Sequence, residues 1–181
     1  MPRTPKYSKT AMAERLVAVF KTYGYEGASL SLLADAVELS KASLYHHYPN
    51  GKEQIAAHAL AHSGARLQRL VLAPLSGPEG GKARLVRSFD GVAKYYDGDM
   101  PVCLMNSLLL GEGRALFGGQ INLAVTAWRR ELARTAGDAG LKQADDWAGL
   151  AIERIQGALV LCRVEGRRLP LERCLEKLTQ I

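Results

Sequence analysis

The chain has 181 residues and a formal net charge of +6 at pH 7, with 48% hydrophobic and 23% charged residues. This composition is typical of a folded globular protein and excludes a wholly disordered chain. No stretch is long and apolar enough to span a bilayer, and the polar, basic start lacks the apolar run of a secretory signal. We therefore expect a cytoplasmic protein with no membrane partner.

Hydrophobic periodicity is helical along nearly the whole chain, so the predicted fold class is all-α with eight or nine helices. The first helix is predicted from Ser8 to Tyr23, a short second helix begins after Ser29, and a third runs from Lys41 to about Tyr48. A long helix over 52–72 and a linker-like loop over 73–82 follow. Five more helices are then predicted, over about 83–97, 102–111, 114–136, 143–166 and 170–180.

The second and third helices have the spacing of a helix-turn-helix unit, with a three-residue turn over 38–40. Leu44 and Tyr48 lie four residues apart on the third helix, so they share one face and form its apolar underside. The remaining side chains of this helix then project outward. They are Lys41, Ala42, Ser43, Tyr45 and His46.

The charge pattern around this helix suits contact with a polyanion. No acidic residue occurs between Glu38 and Glu53, whereas the same window holds Lys41, Lys52 and two histidines among hydroxyl and amide side chains. Cations and hydroxyls without nearby carboxylates favour phosphate contact. The alternative is a merely basic surface loop.

The segment LSLLADAVELSKASLYHHYPNGKE, residues 30–53, resembles the DNA-binding domain of TetR-type transcriptional regulators, and the resemblance extends over about 8–62. Glu38 stands where the family commonly has glycine, and a non-glycine residue adopts a positive φ at some energetic cost. The insert over 49–53 and the run Val102–Asn106 resemble the LmrA/YxaF-like subgroup, with Val102 in place of a glycine.

The resemblance implies a sequence-specific, DNA-binding transcriptional regulator, a repressor that a small apolar ligand releases from a palindromic operator. It implies phosphate contacts from Ser29, Lys41, Tyr45 and Lys52, and contacts to base edges from Ala42, Ser43 and His46. Ser40 joins the expected DNA contacts because, like Ser29, it lies at a helix start, where backbone amides can bind phosphate. His47 has two open roles, packing against the fourth helix or contacting phosphate. Arg3, Lys6 and Lys9 form either an arm that reaches DNA or a solubilising tail.

The resemblance also divides the chain into a DNA-binding domain over 1–62, with the recognition helix at about 41–48, and a ligand-binding and dimerisation domain over 63–181. The predicted 143–166 helix carries an apolar stripe along one face. Its residues are Trp147, Leu150, Ala151, Ile155, Ala158, Leu159 and Cys162. Together with the last helix, the stripe forms either a homodimer interface over about 143–180 or part of the intramolecular core.

A small apolar or aromatic effector is the second expected partner, after double-stranded DNA. Aromatic and methionine side chains suit a flat apolar ligand, and the candidates are Phe89, Tyr96, Met100, Cys103, Met105, Leu108, Phe117 and Trp128. Each has ordinary core packing as its alternative. Cys103 is either a redox-sensing thiol or an inert buried one.

Nothing in the sequence favours an enzyme, and no cofactor or catalytic residue is predicted. The chain lacks the glycine-rich and nucleophile motifs that catalysis or phosphate cradling requires. His58 and His62 have the i, i+4 spacing of metal ligands, but no third ligand accompanies them, so no metal site is predicted. Neither do Cys103, Cys162 and Cys174 supply a zinc site or a disulfide framework. A helical protein with nonspecific DNA affinity is the remaining alternative.

Overall fold

The computed structural model describes residues 7–98 and 100–181. Within these ranges the chain forms nine α-helices and no strand, which confirms the predicted all-α fold. In chain order they are α1 (Lys9–Gly27), α2 (Leu30–Ala36), α3 (Lys41–His47), α4 (Gly51–Leu67), α5 (Gly81–Tyr95), α6 (Leu104–Leu108), α7 (Glu112–Asp138), α8 (Ala144–Glu165) and α9 (Leu169–Thr179). Among the described residues, none of the helices is long and apolar enough to reach across a lipid bilayer.

The chain forms two compact units. The first comprises the described residues up to Gly64 together with Leu104–Ile121, and the second comprises Ala65–Cys103 and Asn122–Ile181. The predicted division into a DNA-binding domain over 1–62 and a ligand-binding domain over 63–181 stays a prediction, because compactness does not assign a function.

Helix α1 begins where its cap predicts, because the Ser8 hydroxyl accepts a hydrogen bond from the Ala11 amide at 3.2 Å. Leu16 and Phe20 lie four residues apart and are fully buried in the first unit. Gly24 has a φ of 68°, which interrupts the helix one turn before its end at Gly27. The helical run predicted to end at Tyr23 therefore ends there as regular helix.

The long helix predicted over 52–72 is wrong in its last turn. Regular α-helix ends at Leu67, and Gln68–Leu72 form a π-helical turn in the second unit. The Val71 carbonyl accepts a hydrogen bond of 2.8 Å from the buried hydroxyl of Ser88. This partner, 17 residues along the chain, stabilises a widened turn that local periodicity does not reveal.

The loop predicted over 73–82 is also partly wrong, because Ala73–Ser76 form a 3₁₀ turn and α5 begins at Gly81. Leu75 is fully buried within this turn. Its carbonyl accepts hydrogen bonds from Arg84 at 2.9 Å, Arg134 at 2.9 Å and Thr135 at 3.2 Å. These donors come from α5 and α7, so tertiary contacts order a segment whose composition is typical of a linker.

The apolar stripe predicted on α8 is buried except at Trp147, which is half-buried, and at Leu150. Ile155, Leu159 and Cys162 are buried, whereas the Leu150 side chain is 49% exposed. Five residues of α-helix rotate a side chain by about 140°, so Leu150 cannot share a face with Ile155. Leu161, further along the same helix, is 51% exposed.

We predict that Gly91→Ala destabilises the protein. An added Cβ would lie 1.8 Å from the Leu70 carbonyl oxygen of the π-helical turn, so backbone must shift to admit it. The expected loss is about 2 kcal/mol in the free energy of urea unfolding. The control Gly119→Ala meets no atom within 4 Å and should instead add about 0.5–1 kcal/mol. Equal effects of the two substitutions would contradict the close approach.

Candidate nucleic-acid interface

Helices α2 and α3 form the predicted helix-turn-helix unit in the first unit of the fold. The Ser29 hydroxyl accepts a hydrogen bond from the Leu32 amide at 3.2 Å, and the Ser40 hydroxyl accepts one from the Ser43 amide at 3.1 Å. The hydroxyl oxygens of Ser40 and Ser43 are also 2.9 Å apart. Both predicted caps are therefore present, and each contributes about 1 kcal/mol to its helix.

The turn between α2 and α3 includes the residue that replaces the family's glycine. Glu38 has a φ of 55°, in the left-handed region, and its amide donates to the Asp35 carbonyl at 3.1 Å. The Leu39 amide reaches back to the Ala34 carbonyl at 3.0 Å. The tight turn is thus built without glycine, at the energetic cost expected for a side chain in this region.

Two residues that the sequence did not single out for this role hold the turn from α1. Arg15 donates to the Ala36 carbonyl at 3.0 Å, and its guanidinium lies 4.0 Å from the centroid of the Tyr7 ring. The Tyr7 hydroxyl in turn donates to the Glu38 carboxylate. Local sequence pattern does not reveal this role of Arg15, because the carbonyl to which it donates, that of Ala36, lies 21 positions further along the chain.

Helix α3 has one buried and one exposed side. Leu44 is 1% and Tyr48 7% exposed, as the i, i+4 spacing predicts. The outward residues are all exposed, and they are Lys41, Ala42, Ser43, Tyr45, His46 and His47. The Tyr45 side chain is 47% exposed although it is a large aromatic group, so folding within this chain leaves it accessible to a partner.

Tyr48 ties the end of α3 to α4. Its hydroxyl lies 2.7 Å from Nδ1 of His58 and 3.9 Å from the Met12 sulfur of α1. Burial raises the pKa of the Tyr48 phenol. Burial also lowers the pKa of His58, helped by the nearby charges of His62 and Lys9. Over the part of the chain that the structure describes, no cluster of three or more potential metal ligands includes these histidines.

Lys52, predicted to contact phosphate, is half-buried in the first unit. Its ammonium lies 4.5 Å from the centroid of the Tyr25 ring and 3.5 Å from the Glu26 carbonyl oxygen. These contacts hold the charge in a fixed place through a cation–π interaction. The expected phosphate contact of Lys52 stays a prediction. Of the basic arm, Arg3 and Lys6 lie outside the described residues, whereas Lys9 is exposed at the start of α1.

The eight residues predicted to line an effector pocket divide between the two units. Four of them are buried in the second unit, namely Phe89, Tyr96, Cys103 and Trp128. Three are buried in the first unit, namely Met105, Leu108 and Phe117. Met100, the eighth, is 55% exposed and so lies outside the buried apolar set. The Tyr96 hydroxyl donates to the Cys103 sulfur at 3.4 Å, and burial, followed by the influence of Cys103, raises the pKa of this phenol.

The fold and the exposed α3 surface define an all-α helix-turn-helix protein. Residues 13–59 match the family model described as "Bacterial regulatory proteins, tetR family". The family likeness covers this part of the chain, which includes α2 and α3.

Curated relatives are similar over part of their length. The transcriptional repressor AcnR of Corynebacterium jeikeium (strain K411) is 37% identical over 93 residues, which cover 48% of each chain. The uncharacterized transcriptional regulator YxaF of Bacillus subtilis (strain 168) is 34% identical over 53 residues, 29% of this chain and 28% of YxaF. The chain therefore spans about half the length of the first relative and less of the second. Both carry the names of transcriptional regulators.

Solved structures share the fold over nearly the whole chain. The TetR family regulator CifR, as a cysteine mutant complexed with 26bp double-strand operator DNA, has a TM-score of 0.77 at 22% identity, with 98% of each chain covered. A TetR transcriptional regulator from Legionella pneumophila has a TM-score of 0.76 at 20% identity, with 97% of this chain and 98% of that chain covered. At this identity the likeness shows the fold alone.

We predict that His58 makes stability depend on pH. Its pKa is lowered in the folded chain, so below about pH 6.5 the unfolded chain binds a proton that the folded chain does not. The contribution of His58 to the free energy of unfolding is complete above this pH and is lost as pH falls. In urea unfolding, this free energy should fall less between pH 7.5 and pH 5.5 for His58→Gln than for the parent. The exposed control His46→Gln should behave like the parent, and a parent-like loss in His58→Gln would contradict the prediction.

Proposed function

We propose that this chain is a transcriptional regulator that binds double-stranded DNA in a sequence-specific manner through α3. The observation that carries the proposal is the exposed, acid-free side of α3 set on the buried Leu44 and Tyr48. Seven residues of α-helix measure about 10 Å, which fits a major groove about 12 Å wide.

In this proposal the side chains of the interface divide into two groups. Lys41, Tyr45 and Lys52 contact phosphates, together with Ser29 and Ser40 at the starts of α2 and α3. Ala42, Ser43 and His46 face base edges, where small side chains allow close approach and an imidazole supplies a donor or an acceptor. The complex of CifR with operator DNA supports this use of the fold.

Selection from random duplexes with the purified full chain tests the proposal. We expect enrichment of a roughly palindromic site that is bound at least about a thousandfold more tightly than scrambled duplex at the same salt concentration. On the selected duplex, Tyr45→Ala and Lys41→Ala should abolish detectable specific binding. Tyr23→Ala is the matched control, because Tyr23 is 51% and Tyr45 47% exposed.

Equal binding of selected and scrambled duplex would instead support a nonspecific DNA-binding protein. If Tyr45→Ala bound the selected duplex as tightly as Tyr23→Ala, the assignment of the α3 surface would be wrong. Far-UV circular dichroism and the oligomeric state of each variant must match the parent, so that lost binding reports on the surface and not on folding.

A palindromic site requires two copies of α3, and we propose that the chain forms a homodimer through α8 and α9. Helix α8 keeps apolar side chains on its surface after the second unit has folded. Leu150, Leu161 and Val164 are 49%, 51% and 76% exposed, and a Cβ added at Gly157 meets no atom within 4 Å. From Leu150 to Gly157, Leu161 and Val164 the successive spacings are seven, four and three residues, so these positions form one stripe along the helix.

Leu161→Glu should therefore weaken the dimer by at least about 100-fold, because a buried carboxylate without a partner is strongly unfavourable. Sedimentation velocity across a concentration series measures the change. Leu110→Glu is the control, since Leu110 is 69% exposed and lies in the turn after α6. A dimer that survives Leu161→Glu and dissociates in Leu110→Glu would place the interface elsewhere.

We further propose that the regulator is a repressor released from its operator by a small apolar or aromatic effector, and that it acts in the cytoplasm, where its DNA lies. Trp128 supports an effector in the second unit. Its side chain is fully buried, and its indole nitrogen donates no hydrogen bond to any described residue. An acceptor on an aromatic ligand would satisfy this donor, whose burial alone costs about 1–3 kcal/mol.

A further inference from the structure

A groove in the first unit has no role in the function proposed above. It has a volume of about 480 Å³ and lies among the start of α1, the end of α3 and the first turns of α4. Pockets that bind small molecules range over roughly 300–1,000 Å³, so the groove has room for a compact organic ligand. We call it the α1–α3 groove.

The apolar surface of the groove comes from two side chains. Met12 of α1 contributes a flexible thioether, and Tyr48 contributes its aromatic ring. Both residues are less than 9% exposed, and the Tyr48 hydroxyl is fixed by His58. The small parts of these side chains that stay accessible form an apolar wall against which a thin, planar ligand can pack.

The polar lining carries positive charge and hydrogen-bond donors. Lys9 supplies an ammonium, His47 and His58 supply imidazoles, and Gln54 supplies an amide. Tyr7 also lines the groove, and among the described residues that line it there is no Asp or Glu. A negatively charged ligand would therefore meet attraction from Lys9 and no carboxylate from these lining residues.

The contact between Tyr48 and His58 defines which hydrogen bonds His58 can still make. A phenol has one proton, and an imidazole nitrogen is a better acceptor than the Met12 sulfur 3.9 Å away. Tyr48 therefore donates to Nδ1 of a neutral His58, whose own proton then lies on Nε2. The lowered pKa of His58 agrees with a neutral ring. Nε2–H is a donor that a carboxylate accepts well.

We propose that the α1–α3 groove binds a small planar aromatic carboxylate, with the ring on Tyr48 and Met12 and the carboxylate toward Lys9 and His58. The site belongs to the first unit of the fold and shares no residue with the candidate effector residues.

Occupancy would act on DNA binding, and this step rests on the proposed function. His47 and Tyr48 directly follow Tyr45 and His46 in the chain, so a ligand in the groove adds negative charge next to the proposed DNA surface. An anion there repels the phosphates of the duplex and so lowers the affinity for DNA. The coupling is reciprocal, so the duplex must lower the affinity for the ligand by the same factor.

The test uses the full chain with 2-naphthoate as the probe and neutral 2-naphthamide as its matched control. Calorimetry measures affinity, and NMR of methionine labelled at the ε-methyl carbon locates the probe, since the chain has four methionines. We expect 2-naphthoate to shift the Met12 signal and to leave those of Met100 and Met105 unchanged. The neutral amide should bind at least about fivefold more weakly, as should 2-naphthoate to Lys9→Gln.

Lys21→Gln is the control substitution, because Lys21 lies on the same helix about 18 Å from Lys9 and outside the groove lining. It should bind 2-naphthoate like the parent. The proposal is overturned if Met12 does not respond, if Lys9→Gln and Lys21→Gln bind equally, or if inorganic phosphate competes as strongly as 2-naphthoate.

A duplex arm separates this proposal from the proposed function. With the selected duplex present, 2-naphthoate should lower the affinity for DNA and the duplex should lower the affinity for 2-naphthoate by the same factor. A chain that binds 2-naphthoate at Met12 and prefers no duplex would support the groove and overturn the proposed function. A chain that binds its duplex specifically and shows no shift of the Met12 signal would support the proposed function and overturn the proposed ligand site in the groove.

Discussion

The burial of Leu44 and Tyr48 is the constraint on which the candidate interface depends. Helix α3 has seven residues and is too short to be stable by itself in water, so its orientation is set by what it buries. Tyr48 buries its ring and also satisfies its hydroxyl through His58, which ties α3 to α4 by an interaction with a defined direction. With these two side chains fixed inward, helical geometry turns Tyr45 and His46 away from the buried face, whereas Lys41 is exposed because it lies at the first position of the helix.

The turn before α3 illustrates how an unfavourable backbone conformation is offset by side chains. A glycine at position 38 would adopt the positive φ freely but would offer no side chain. Glu38 accepts a hydrogen bond from Tyr7, and Arg15 packs on the Tyr7 ring while it donates to Ala36 at the end of α2. The segment that precedes α1 thus braces the turn, and the cost of Glu38 is compensated by contacts that glycine could not make.

The features that the sequence predicted correctly are those whose interacting residues lie close together along the chain. Caps act over three residues, so Ser8, Ser29 and Ser40 were identifiable from the chain alone, as were Leu44 and Tyr48 at four. The 3₁₀ turn around Leu75 was missed because two of its donors, Arg134 and Thr135, lie about 60 residues away. The α1–α3 groove escaped notice for the same reason, since Lys9, His47 and His58 show no common spacing and meet only in the fold.

Positive charge in this protein is not equivalent from one residue to the next. Lys52 is held over the Tyr25 ring, so a phosphate there would meet a charge whose position is already fixed, at little further entropic cost. Lys41 and Lys9 are exposed and must each lose side-chain freedom to bind an anion. The acid-free window between Glu38 and Glu53 therefore contains both a cation held in place, Lys52, and an adaptable one, Lys41. Because Lys9 and α3 border the same groove, an anion bound there would act on the proposed DNA surface through local electrostatics, without any rearrangement of the second unit.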